Sequence, residues 1–381
     1  MLHALLILLA LPTGHDPSHG HDHGHDPEHP GSTRQEVSPR AAAPTGPVHV
    51  GRGAHRYRWE TDWLELPEGR AGLGPTHGCL VVDNSGRVYL SAESGPAVQV
   101  YTREGAPLLS FGEDWGAGLH GMAIATEMHE VEGLDGETRP VAREVLYLAH
   151  TARREVLKTT LSGEVLQRYA PPPTEAGLYE EPGQYKPTSV AVAPDGRLFV
   201  ADGYGRSYVH RYDAQGEYLD SFGGRGEGPE HLNTPHGLWL DTSGERPTLL
   251  VADRENHRIA RFDLEGGYLG GTDPESGLLR RPCHLQFTGE LAVVADLAGR
   301  VTLLDRELRL VAHLGDHPDP AQRARYDVPR EAWVAGAFCA PHCARIGPKG
   351  EIYVMDWNAS GRLTRLVPAP EEPESAPQKG H

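Results

Sequence analysis

Pro187-Thr188-Ser189-Val190-Ala191-Val192, Asp195-Gly196, Leu198-Phe199-Val200-Ala201-Asp202-Gly203-Tyr204 and Phe222-Gly223 make one pass of a pattern that begins again within the same stretch. The second pass opens at Pro235-His236-Gly237-Leu238 and runs through Leu249-Leu250-Val251-Ala252-Asp253-Arg254-Glu255-Asn256-His257-Arg258-Ile259 to Phe262. Short apolar runs bounded by Gly, Asp and Pro are the mark of strands joined by tight turns. Residues 187–262 therefore hold two copies of one small antiparallel sheet.

The pattern extends in both directions. Upstream it reads Thr76-His77-Gly78-Cys79-Leu80-Val81-Val82-Asp83, Ser85-Gly86, Val88-Tyr89-Leu90, Val98-Gln99-Val100-Tyr101 and Phe111-Gly112. A further copy opens at Leu119-His120-Gly121-Met122, carries an insertion around residues 130–141 and resumes at Val145-Leu146-Tyr147-Leu148. Downstream, copies open at Pro282-Cys283-His284-Leu285 and Pro341-His342-Cys343, with second strands at Ala292–Asp296 and Ile352–Asp356. Taking His77, His120, Thr188, His236, Cys283 and His342 as equivalent openings gives spacings of 43, 68, 48, 47 and 59 residues. A period of about 40–50 residues with several strands per unit is the propeller range. The expected fold is all-β, a six-bladed β-propeller over residues 57–367, with Tyr57–Leu66 supplying an outer strand to the last blade and removing a free sheet edge.

Composition agrees with that class. The 381 residues are 38% hydrophobic, enough for a core, and 46 Gly and 32 Pro favour turns over long helices. With 36 basic and 53 acidic side chains the formal charge is −17, which repels nucleic acid and anionic membranes. Leu2–Leu11 is apolar and too short to span a bilayer. Residues 1–14 read as the apolar part of a secretory signal without a leading Lys or Arg, so an exported monomer with no integral membrane span after signal removal is expected. Residues 15–56 are a His-rich leader with no means of burying a core, and 368–381 a Pro/Glu-rich tail; disorder is expected for both. The leader suits loose binding of zinc, nickel or copper, or simple solvation. Cys79, Cys283, Cys339 and Cys343 are too few and scattered for a disulfide framework, and are read as buried small side chains or one disulfide.

Blade openings converge on the propeller axis. His120, His236 and His342 open alternate blades, and a three-fold set of imidazoles leaves a coordination position free, as zinc chemistry requires. His77 and Cys283 occupy equivalent openings, so a different trio stays open. The alternative for such histidines is a structural hydrogen bond at a blade entrance. His150, in the second blade, replaces the Asp that ends the second strand of four others.

Asp202-Gly203-Tyr204 followed by Pro235-His236 and Ala252-Asp253-Arg254-Glu255-Asn256 resembles the peptidyl-α-hydroxyglycine α-amidating lyases, six-bladed propellers of the NHL-repeat type. The resemblance covers roughly residues 75–367. It implies zinc on His120, His236 and His342, Tyr204 as general base and Arg254 as an active-site arginine that helps hold the substrate carboxylate. The implied reaction breaks the C–N bond of a small hydroxylated or peptide substrate, a peptidyl-α-hydroxyglycine, to give an amide and glyoxylate. Two positions depart from the family. Leu90-Ser91-Ala92-Glu93-Ser94 offers no arginine where the family has one, leaving Arg345 or Arg70 as substitutes, and Cys343 stands where the family has an acidic ligand, so structural calcium is not expected. A non-catalytic NHL propeller that binds a peptide or protein is the alternative, and a lactonase-like hydrolase ranks last because the openings are His-rich rather than acidic.

Overall fold

The computed structural model describes residues 46–66, 72–133 and 135–371, so the expected signal, most of the leader, Arg70 and the end of the tail lie outside the described residues. Its strands form six antiparallel sheets, and the first strand of each lies against the first strand of the next, the sixth returning to the first. The chain is a six-bladed β-propeller. No helix among the described residues is long and apolar enough to cross a membrane.

Blade 1 comprises Leu80–Val82, Val88–Ser91, Val98–Tyr101 and Pro107–Phe111. Blade 2 comprises Leu119–Glu132, Thr138–His150, Glu155–Thr160 and Val165–Tyr169, and its insertion is a continuation of the first hairpin paired out to Glu132 and Thr138. Blades 3 and 4 are the two passes first read in the sequence: Ser189–Val192, Leu198–Ala201, Tyr208–Tyr212 and Tyr218–Gly223, then Pro235–Asp241, Thr248–Asp253, Arg258–Phe262 and Tyr268–Gly271. Blade 5 comprises Pro282–Thr288, Leu291–Asp296, Arg300–Leu304 and Leu310–Leu314.

Blade 6 is built from both ends of the chain. To Pro341–Ile346, Ile352–Asp356 and Arg362–Pro368 it adds Tyr57–Glu60, antiparallel to the last strand with Trp59 opposite Leu366. A fifth strand, His49–Val50, pairs with Tyr57 and Arg58, so ordered sheet begins inside the segment read as leader. The reason is local: Val50, Tyr57 and Trp59 are buried with Phe338, Ile352 and Leu366, an apolar set the His-rich composition farther upstream lacks.

Second strands such as Leu198–Ala201 are buried on both sides because neighbouring blades cover both faces, which is why they read as unbroken apolar runs. Fourth strands alternate or face water, as in Pro107–Phe111. The Asp that ends the second strand ties down the loop entering its own blade. Asp202 accepts from the Lys186 N–H at 2.6 Å, Asp253 from Asn233 at 2.7 Å, Asp296 from Arg281 at 2.6 Å and Asp356 from Ala340 at 2.7 Å. In blades 4 and 5 the third strand adds an arginine to the same carboxylate, Arg258 on Asp253 at 2.8 Å and Arg300 on Asp296 at 2.9 Å. A buried carboxylate needs such partners to remain charged. His150 does the equivalent work in blade 2: its Nε2–H donates to the Trp115 carbonyl at 3.1 Å and its Nδ1 accepts from the Arg153 N–H at 3.3 Å.

Candidate active site on the propeller axis

Each of His120, His236 and His342 is the extra residue of a β-bulge on an inner strand. Pairing jumps from Leu119 to Gly121, from Pro235 to Gly237 and from Pro341 to Cys343, leaving the histidine between them unpaired. A bulge re-aims one side chain without disturbing the strand beyond it. All three imidazoles turn to the axis, with ring centroids 4.6–4.9 Å apart.

Their orientation is fixed from the blade ahead. His120 Nδ1 lies 2.8 Å from the Thr188 carbonyl, His236 Nδ1 3.0 Å from Cys283 O and His342 Nδ1 2.8 Å from Gly78 O. A carbonyl only accepts, so Nδ1 carries the proton and Nε2 presents a lone pair. Glycine allows this approach in two blades. A Cβ on Gly121 would stand 2.4 Å from the Thr188 oxygen, and one on Gly237 2.5 Å from the Cys283 oxygen, the same carbonyls that hold His120 and His236.

The Tyr204 hydroxyl sits among these nitrogens, 3.3 Å from His120 Nε2, 3.0 Å from His236 Nε2 and 3.3 Å from His77 Nε2. Arg254, 9% exposed, donates to Tyr204 Oη from Nη1 at 3.4 Å and to Glu255 from Nε at 2.7 Å, its guanidinium 5.6 Å above the Tyr204 ring. The expected residues His120, His236, His342, Tyr204 and Arg254 are joined by His77, whose ring lies 5.0 Å from His342 and 5.8 Å from Trp357; Tyr326 packs against Trp357 with ring centroids 5.0 Å apart. Ligand atoms of His77, His120 and His342 all fall within 4.8 Å of one another, as do those of His236, Cys283 and His342. His342 belongs to both groups, and its Nε2 is buried with no hydrogen-bond partner.

Burial drives the electrostatics. It lowers His120 to about 4, and it lowers His236 and His342 well below the ordinary imidazole value with help from their neighbouring imidazoles, so all three are neutral at pH 7. Burial also raises Tyr204 above the usual phenol value although the Arg254 cation opposes it. Tyr204 is therefore a proton donor until further positive charge is placed beside it.

Farther along the inner strands lies a second buried cluster that sequence reading did not assemble. Cys79, His284 and Cys343 come together with Arg345, whose guanidinium lies against both ring nitrogens of His284, of which only the unprotonated one accepts, and donates to Met122 O at 3.3 Å and to Leu285 O at 3.4 Å. Arg345 is thus engaged away from Tyr204. Cys339 stands apart from Cys343, near Arg362. Glu93 accepts from the Gly118 N–H at 3.2 Å. Cys79, His284 and Cys343 come from three different blades, and a bulge at Cys283 sends that residue to the axial histidines while His284 joins the two cysteines, a division the repeat spacing does not show.

Fold and site together define a six-bladed β-propeller with a histidine-lined axial centre. A domain family described as a 6-bladed beta-propeller matches residues 187–275. The chain is 40% identical over 79 residues to a probable peptidyl-alpha-hydroxyglycine alpha-amidating lyase of Caenorhabditis elegans, a match covering 20% of this chain and 22% of that protein. It is 36% identical over 206 residues to peptidyl-glycine alpha-amidating monooxygenase B of Xenopus laevis, covering 51% of this chain and 22% of the relative. Peptidyl-alpha-hydroxyglycine alpha-amidating lyase 1 of Drosophila melanogaster matches at 30% over 195 residues, 45% of this chain and 33% of the fly protein. The matched regions thus span a third or less of these relatives. Among solved structures, streptogramin B lyase superposes with a TM-score of 0.52 at 11% identity, over 83% of this chain and 99% of that one. Virginiamycin B lyase from Staphylococcus aureus gives 0.51 at 11%, over 82% and 99%, which is a likeness of fold.

Proposed function

We propose that this propeller is a zinc-dependent carbon–nitrogen lyase that converts a peptidyl-α-hydroxyglycine, or a small hydroxylated relative, to an amide and glyoxylate. The observation that carries the reading is the set of three bulged, carbonyl-tethered imidazoles around one phenol and one guanidinium. A buried Nε2 without a partner on His342, with Nδ1 protons directed away from the axis on all three rings, suits a divalent ion with nitrogen ligands. His120, His236 and His342 hold it in this reading, with His77 at their edge. When bound, zinc supplies Lewis acidity toward a hydroxyl oxygen.

The chain's own residues account for the rest. Tyr204 Oη lies within 3.4 Å of three imidazoles and Arg254, so it is the group placed to take the proton of the substrate hydroxyl. Loss of that proton lets the oxygen lone pair form the aldehyde carbonyl while the C–N bond breaks. Its electrons go to the nitrogen, which takes up a proton as the amide. Arg254 lowers the cost of charge on Tyr204 and faces the substrate carboxylate. Glu93, in the segment that lacks an arginine, would repel a substrate carboxylate on its side rather than hold it.

The test measures zinc per chain by mass spectrometry for the wild type and for a His120→Ala, His236→Ala variant, both passed through a mild chelator, followed by glyoxylate release from an α-hydroxyglycine peptide. One zinc fewer in the variant with glyoxylate formed by the wild type is the expected result. Equal metal in both proteins overturns the zinc site, and zinc without glyoxylate overturns the substrate.

A further inference from the structure

Cys79 and Cys343 stand at the seam where the ring closes. Cys79 immediately precedes the first strand of blade 1, and Cys343 lies in the first strand of blade 6, 264 residues later. Their sulfurs are 2.6 Å apart, and both residues are buried. The backbones meet there as well: Cys79 Sγ donates to Leu80 O at 3.3 Å, and the Leu80 N–H donates to Cys343 Sγ at 3.3 Å.

Two occupants of this cluster compete. A metal held by Cys79, His284 and Cys343 would need its sulfurs about 3.8 Å apart, the edge of a tetrahedron with bonds of ~2.3 Å. The observed separation is far shorter. The ring nitrogens of His284 also face the Arg345 guanidinium, which lies 3.8 Å from Cys79 Sγ, so a permanent cation already fills the place an ion would take. Two thiols in van der Waals contact stand farther apart than these. Both are free thiols in this structure, 2.6 Å apart where a disulfide needs about 2.05 Å, so a short approach is all that separates them from bonding, and we propose that Cys79 and Cys343 form a disulfide that joins the first and last blades at the axis.

The reaction is an exchange with a disulfide of a small thiol or of an oxidoreductase. Cys79 and Cys343 lose two protons and two electrons, one S–S bond forms between them, and the oxidant's S–S bond is reduced to two thiols. Both sulfurs are buried in the finished ring, so the bond forms as blade 6 seats against blade 1, before the seam is closed to the oxidant. Its position ties it to the candidate active site, because Cys343 follows His342 and Cys79 is two residues beyond His77. The ring is then closed twice, by strand pairing at its outer edge and by a covalent link at its axis.

The experiment folds the full chain in a glutathione redox buffer, denatures it without reductant, alkylates it and maps the modified peptides by mass spectrometry. Two labels per chain, on Cys283 and Cys339, rising to four after reduction, is the expected pattern. Four labels without reduction, or two labels on any other pair, overturns the proposal. A Cys79→Ala, Cys343→Ala double variant supplies the second reading: reductant lowers the melting temperature of the wild type and leaves that of the variant unchanged. An equal response of both proteins argues against the bond. The readouts are independent of metal and of glyoxylate, so the assignment stands or falls apart from the proposed activity.

Discussion

Tyr204 is the residue on which the proposed chemistry turns, and its environment sets a measurable expectation. Replacing it by Phe keeps the ring packed between Arg254 and the histidines while removing the oxygen that meets His77, His120 and His236. We expect Tyr204→Phe to lower kcat by roughly 100-fold or more, the range for loss of a general acid or base, with zinc content unchanged. Equal kcat in wild type and variant would remove Tyr204 from the reaction. Much of this site was legible in the sequence. His120, His236 and His342 share one repeat position, and Tyr204 and Arg254 each follow an Asp that repeats. What the repeat could not reveal was the company these residues keep. His77 was left as one opening among six, Trp357 follows the same repeated Asp as Arg254 but was not singled out, and Tyr326 and Arg345 carry no spacing signal. Arg345 illustrates the limit: its charge counts in any tally, yet only three-dimensional packing shows it committed to His284 and the Met122 carbonyl.

At the scale of the strand, the bulges and their glycines carry the geometry. Gly121→Ala places a methyl against the carbonyl that orients His120, so the carbonyl must move and the imidazole loses its tether. The expected cost is about 10–100-fold in zinc affinity, the usual penalty for disturbing a ligand's outer partner, read by competition with a chelator. Unchanged affinity would show that the tether does not matter. The Asp that ends each second strand predicts a different outcome. Asp296 is fully buried and holds the Arg280 and Arg281 N–H groups and the Arg300 guanidinium. Asp296→Ala leaves Arg300 buried without its carboxylate, and denaturant unfolding is expected to show a loss of about 3–5 kcal/mol. The apolar runs were readable because burial on both faces imposes them. The bulges were not: one extra residue shifts a period-two pattern by one, but the inner strands are buried on both faces around it and show no alternation in which the shift could be read.

For the whole molecule, the closing strand is the testable element. Deleting residues 46–60 removes the strands that cap Arg362–Pro368 and uncovers Phe338, Ile352 and Leu366. A lower melting temperature and association detected by light scattering are expected, since the last blade then presents a bare edge. A monomeric, equally stable truncation would mean that the ring holds without it. Ring number and closure were visible in the spacing of openings, whereas the start of ordered sheet at His49 was masked by the polar composition around it.

That closure also orders events in time. Glu60 meets Arg365 across 305 residues of chain. At a synthesis rate of about 5–20 residues per second, the closing strand leaves the ribosome roughly 15–60 s before its partner exists. Blades 1 to 5 can each pair locally during that interval, but Tyr57–Glu60 has only the two-residue strand His49–Val50 beside it until Arg362–Pro368 is made. Completion of the ring is thus a single late docking event, and the amphipathic segment that performs it spends most of translation as a client for whatever protects unpaired strands in the cell.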